Sequence, residues 1–124
     1  MTPVRAGSGL LVSLFLFMPL FASAANECLC VAWLRTERGI NIRGDAWTIR
    51  PTHPLNMASE GDVLLTTEGP GHAAEIISFE GQILENGYIR PAYIRVLESN
   101  YTRCRVGTRL IPWNDPEIRG IYRP

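Results

Sequence analysis

A thiol, an imidazole and two polar groups stand in short, separate stretches of this chain: Cys30-Val31-Ala32-Trp33-Leu34-Arg35, Gly71-His72-Ala73-Ala74 and Glu98-Ser99-Asn100-Tyr101. They are the parts of a cysteine–histidine hydrolase: a sulfur that attacks, a ring that carries its proton, and a group that orients the ring. The chain holds only two histidines and three cysteines in 124 residues, so few other pairings exist. A thiol attacks as its thiolate, and a helix N-terminus or a nearby imidazolium favours that form. Glu98 and Asn100 are two apart and would share one face of a strand, with Ser99 pointing away. Either could orient His72. A carboxylate would also raise the imidazole pKa, whereas an amide would orient it without adding charge. The plainer readings are a cysteine acting as a small core hydrophobe and a histidine at a surface turn.

These residues need elements to hold them. Asn26 or Glu27 can cap a helix, and Glu favours its first turn. The stretch from Cys30 through Arg38 then reads as two to three helical turns stopped by Gly39. Gly44-Asp45 opens a second short helical piece from Ala46 to Ile49, ended by Pro51. Asp45 reads as a turn or cap residue. Residues 51–61 read as a loop, and His53 within it as a surface residue. From there the pattern changes to strands: Asp62 to Thr67, His72 to Phe79, Gln82 to Glu85, Tyr93 to Glu98, Arg105 to Ile111 and Ile118 to Tyr122. Glu68-Gly69-Pro70-Gly71, Glu80-Gly81 and Asn86-Gly87 are the turns between them. Helices first and an antiparallel meander after them make an α+β layout. Glu75, inside the apolar His72 strand, reads as facing solvent. Trp47 and Trp113 are candidates for a groove wall or for the core, and the core is expected for Trp47.

The N-terminus bounds the compartment. Arg5 is followed by an almost wholly apolar run from Leu10 to Phe21, and Ala22-Ser23-Ala24 fits a small-residue cleavage site. This is a secretory signal pattern over residues 1–25. Its apolar run is shorter than the roughly 20 residues of a membrane-spanning helix. No stable membrane anchor is expected after cleavage, and the destination would be periplasmic or secreted. Residues 26–124 then form one small domain. The chain has 12 basic residues, all Arg, against 12 acidic ones; without Arg5 the count is 11 against 12, a net charge of −1. Acids interleave with the arginines and no basic block occurs, so nucleic acid is not an expected partner. An oxidising compartment permits disulfides. A Cys28–Cys104 bridge would leave Cys30 as the free thiol.

At these residues the chain resembles the CHAP family, the cysteine, histidine-dependent amidohydrolases/peptidases. Members typically show a Cys with an aromatic residue three positions on, as Cys30 and Trp33 stand here. A Gly-Asn/Asp-Ala stretch follows in that family, matched by Gly44-Asp45-Ala46-Trp47. A Gly-Asp strand is matched by Gly61-Asp62-Val63, a Gly-His strand by Gly71-His72-Ala73-Ala74, and a Glu-x-Asn segment by Glu98-Ser99-Asn100-Tyr101. Arg119-Gly120-Ile121-Tyr122-Arg123-Pro124 is similar to the family's last strand. The match runs in order from about residue 28 to the end. The resemblance implies a papain-like α+β fold, with the Cys on an N-terminal helix packed against a small antiparallel sheet that carries the His. It implies peptidoglycan as substrate, cut at the muramoyl-L-alanine amide or at a stem or cross-bridge peptide bond. By carry-over, Cys30 is the nucleophile, His72 the base, and Glu98 or Asn100 the orienter; no cofactor is needed. Cys28 competes for the first role, but Trp33 and the distance to Gly44 favour Cys30. Leu29 offers no polar side chain, so the Cys30 backbone N–H would serve the oxyanion.

Two other readings stand beside this one. Cys28, Cys30, His72 and Cys104 could form a zinc set, although a single residue between Cys28 and Cys30 strains tetrahedral geometry. A non-catalytic module of the same fold could hold cell-wall peptide or a partner without cutting it. The two differ in one observable, a reactive thiol. The choice of bond, a housekeeping, lytic or toxin role, and the oligomeric state are not encoded in these motifs.

Overall fold

The computed structural model describes residues 29–100 and 105–124. Among the described residues one α-helix, α1 (Cys30–Arg38), precedes a 3-10 turn (Leu55–Met57) and seven strands. The strands are β1 (Val63–Thr66), β2 (His72–Glu80), β3 (Ile83–Glu85), β4 (Tyr88–Arg90), β5 (Tyr93–Asn100), β6 (Arg105–Pro112) and β7 (Ile118–Tyr122). Five of them form one antiparallel sheet in the order β6-β5-β2-β1-β7, and β3 and β4 form a separate pair. The protein is therefore a small α+β fold with one helix on a mostly antiparallel sheet.

The sequence explains where α1 stops. Gly39 takes the left-handed conformation, and its N–H bonds the Leu34 carbonyl. The start differs from expectation. Leu29 occupies the N-cap position, without a side-chain cap and with no acidic residue in the first turn. Asn26 and Glu27, the expected caps, lie outside the described residues. The first-turn N–H groups are thus left for some other acceptor.

Both faces of the sheet are covered, which is why β1 is buried along its whole length. On one face Val63, Leu65 and Ala73 pack against Val31, Trp33 and Leu34 of α1 and against Ile42 and Ile49. On the other, Leu64, Ala74, Ile76, Ile94, Val96, Ile111 and Ile121 form a second cluster with Trp113. Leu55 and Ala58 from the loop, Phe79 of β2 and Ile83 of the hairpin pack against that cluster. Each strand of the centre thus splits its apolar residues between two cores, as period-2 alternation requires. Burying the large aliphatic side chains is worth roughly 1.5–3 kcal/mol each against conformational entropy.

The meander expectation needs correcting. The third strand does not join the main sheet: β3 pairs only with β4, a strand at Tyr88–Arg90 that the pattern did not mark. The Asn86-Gly87 turn connects these two. The neighbours of β2 are instead β1 and β5, while β7 returns to the far side of β1. The second helical piece is also smaller than expected. Residues 46–48 make one turn, in which the Asp45 carbonyl accepts the N–H groups of Thr48 and Ile49.

Candidate active site

The N-terminus of α1 and the first residue of β2 meet at one corner of the molecule. Cys30 is a free thiol, 7 % exposed, at the first position of the helix. His72 is 8 % exposed and pairs with Thr66 at the end of the β1–β2 ladder. The turn before it is closed by the Gly71 N–H donating to the Glu68 carbonyl at 2.9 Å. Gly71 is obligatory there. Its φ is +95°, and a Cβ would lie 2.8 Å from the Trp47 nitrogen and 2.9 Å from its Cα. The missing side chain lets the 46–48 turn lie directly on the segment that delivers His72.

Across the sheet, Glu98 on β5 is buried and its Oε1 lies 2.7 Å from His72 Nε2. With Nε2 engaged by Glu98, Nδ1 is the other ring nitrogen left over. Burial alone would lower the His72 pKa; hydrogen bonds with Cys30 and Glu98, and their charges, outweigh it and raise it to about 9. Burial likewise works against the Glu98 carboxylate. The His72 and Arg109 hydrogen bonds prevail and hold Glu98 below the usual carboxylate range. Of the two candidate orienters, Glu98 therefore touches the imidazole. Asn100 ends β5, and its side chain is outside the description. Ser99, between them, is fully buried.

Two residues of this cluster carry no motif and were missed in the sequence. Arg109, on β6, donates from Nε to Glu98 Oε2 at 2.8 Å and from Nη2 to Glu98 Oε1 at 3.0 Å. It also forks onto Glu68, with Nη1 2.7 Å from Oε2 and Nη2 2.8 Å from Oε1. The guanidinium bonds hold Glu68 below its ordinary range despite partial burial. A weak signal was available: Arg109 sits opposite Val96 in the β5–β6 register, one diagonal step from Glu98.

A groove of about 830 Å³ opens over this corner, with Cys30 in its lining. Leu29, Val31, Ala32 and Arg35 form one side, Gly44 to Thr48 another, and Gly69-Pro70-Gly71 a third. Trp47, expected in the core, is 59 % exposed on the groove wall. The turn that carries it is pinned by Arg119 of β7. Its Nη1 and Nη2 bond the carbonyls of Ala46 and Ile49, and its guanidinium lies 5.9 Å from the indole centroid. Trp113 is the buried one, edge-on to Phe79. Glu75, expected to face solvent, lies beneath α1 and binds Arg38 at 2.7 Å. His53 stays apart from this corner, bonded through Nδ1 to Thr52. Cys28 and Cys104 lie outside the described residues, and with them the disulfide and the zinc set.

Compared with family models, with curated proteins and with solved structures, the chain finds no match.

Proposed function

We propose that this chain is a cysteine hydrolase of papain-like, CHAP-type fold that cleaves an amide or peptide bond of peptidoglycan, after export to the periplasm or the exterior. The observation that carries the reading is the burial of one imidazole between a free thiol at a helix start and a carboxylate, beside an open groove. Cys30 attacks the carbonyl carbon as a thiolate, with His72 as the imidazolium. The tetrahedral oxyanion accepts the Cys30 N–H at the uncapped start of α1. His72 then protonates the leaving amine, whose departure leaves a thioester on Cys30. A water, deprotonated by His72, hydrolyses that thioester and returns the pair to its starting state. Glu98 holds the ring in the tautomer that presents Nδ1 to sulfur. The groove is wide enough for a peptide or a sugar–peptide junction, and the exposed indole of Trp47 offers it an apolar wall. The activity is that of an N-acetylmuramoyl-L-alanine amidase or of a stem or cross-bridge endopeptidase.

The test is digestion of purified peptidoglycan by the protein from residue 26 onward, beside Cys30→Ala and Cys28→Ala, with products identified by mass spectrometry. Cleavage by wild type and Cys28→Ala, but not Cys30→Ala, is expected, and the fragment masses name the bond. No cleavage by wild type, with Cys30 inert to iodoacetamide, would replace this reading with a wall-binding module.

A further inference from the structure

Arg109 and Glu68 take no part in the steps just described, yet both are built into their corner. The guanidinium directs four donor contacts at two carboxylates, all between 2.7 and 3.0 Å. It is the one residue of 105–110 that is not largely exposed. Glu98 spends Oε2 on Arg109 and Oε1 on both Arg109 and His72. Glu68 is itself anchored: Thr66 Oγ1 donates to its Oε1 at 3.1 Å, and its carbonyl accepts the Gly71 N–H. A single planar fork therefore joins the carboxylate that touches the imidazole to the turn that delivers it. Bidentate guanidinium pairs fix orientation as well as charge, which an ammonium cannot do.

We infer that Arg109 is a positioning residue: braced by Glu68, it holds the Glu98 carboxylate at the angle and distance that keep the His72 ring aimed at Cys30. The inference rests on the reading of Cys30 and His72 as the reacting pair. Among the described residues, the charged and titratable groups facing Glu98 are His72 from β2 and Arg109 from β6, with Glu68 behind Arg109 and Cys30 beyond His72.

The experiment compares wild type, R109Q, R109K and E68Q in the purified protein. Proton NMR titrates the two imidazoles, assigned with His53→Gln; iodoacetamide alkylation of Cys30 and peptidoglycan turnover are measured alongside. A positioning role predicts that folded R109Q loses about tenfold or more in kcat, the usual cost of an outer partner of a reacting group. KM should stay within about twofold, because substrate binding is untouched. The His72 pKa should fall, because a loosened Glu98 supports the imidazolium less well. A mere neighbouring cation predicts the opposite sign, since removing it favours imidazolium. R109K should resemble R109Q, because it keeps the charge and loses the fork; E68Q should move in the same direction by less. The inference is overturned by wild-type kcat and an unmoved or raised His72 pKa in folded R109Q, or by wild-type behaviour of R109K. Should R109Q not fold, R109K and E68Q decide. Absent turnover by wild type would count against the hydrolase reading alone, because titration and alkylation need no substrate.

Discussion

Among the described residues two carboxylates, Asp62 and Glu98, are buried beside an arginine, and their surroundings differ. Asp62, just before β1, accepts Nε of Arg123 at Oδ1 and Nη2 at Oδ2, both at 2.9 Å, and the Ser59 N–H at 2.8 Å. Arg123 also caps the 3-10 turn through the Met57 carbonyl at 2.8 Å. Every hydrogen-bond partner of Asp62 is a permanent donor, and His53 reaches it only through its charge, so the cluster staples Arg123 to the loop before β1. Glu98 has the same kind of arginine fork but gives one oxygen to an imidazole that titrates. Stability needs only the first arrangement. The second puts a proton-carrying group between a carboxylate and a thiol, which is of use to chemistry. On the proposed reading, the difference between a structural ion pair and one that serves a reaction thus lies in the third partner rather than in burial or in the arginine.

That comparison can be broken most sharply at the two carboxylates themselves. Glu98→Gln should lower peptidoglycan turnover by about 10²–10⁴-fold, the range expected when a base loses its orienting carboxylate. Asp62→Asn should leave turnover of the folded protein unchanged and lower its stability, because the charge-assisted fork between Asp62 and Arg123 is lost. Denaturant melts and kinetics on both variants decide it; a loss of kcat in Asp62→Asn without loss of stability would erase the distinction.

The pH response should separate the same two sites. His72 titrates near 9 in the folded protein against an ordinary 6.5, so its pairing contributes fully below 6.5 and is lost as pH rises through 9. Glu98 is held below 4.5 and Asp62 below 3.8, largely by hydrogen bonds that outweigh burial at Glu98 and by the Arg123 bond at Asp62. Both contribute above those values and lose their contribution as pH falls. Thermal melts should therefore weaken on the alkaline side in wild type, and Glu98→Gln should flatten that side while Asp62→Asn retains it. Turnover should also decline above about pH 9 as the imidazolium loses its proton. A smaller effect tests the scaffold under the reacting pair. Gly71→Ala should destabilise by about 1–3 kcal/mol through its positive φ and the contact with the Trp47 backbone. A wild-type melting temperature would show that the turn gives way freely.

Much of this was legible in the sequence. The helix from Cys30 to its Gly39 stop, β1, β2, β5, β6 and β7 follow from local pattern, because each has caps, turns or alternation of its own. The β3–β4 pair was not legible as a separate hairpin. Strand pairing is decided across the chain, and Tyr88–Arg90 is too short to show alternation. Trp47 was misplaced because an indole's size favours the core, whereas here Arg119, over 70 positions away, fixes the turn that displays it. Arg109 and Glu68 carry no motif at all; the β5–β6 register brings Arg109 to Glu98, and the β1–β2 turn brings Glu68 to Arg109. Cys30, His72 and Glu98 stand out as candidates through their chemistry and the resemblance together, and their meeting depends on a sheet order no local pattern encodes.

The most direct test of the central claim is the iodoacetamide alkylation rate of Cys30 at pH 7 in wild type and in His72→Ala, read by peptide mass mapping. If the imidazole and the thiol act as one unit, His72→Ala should react slower by about tenfold or more, as expected when a thiolate loses its imidazolium partner. Equal rates in two folded proteins would contradict the account and leave Cys30 as a core residue that lies beside a histidine without working with it.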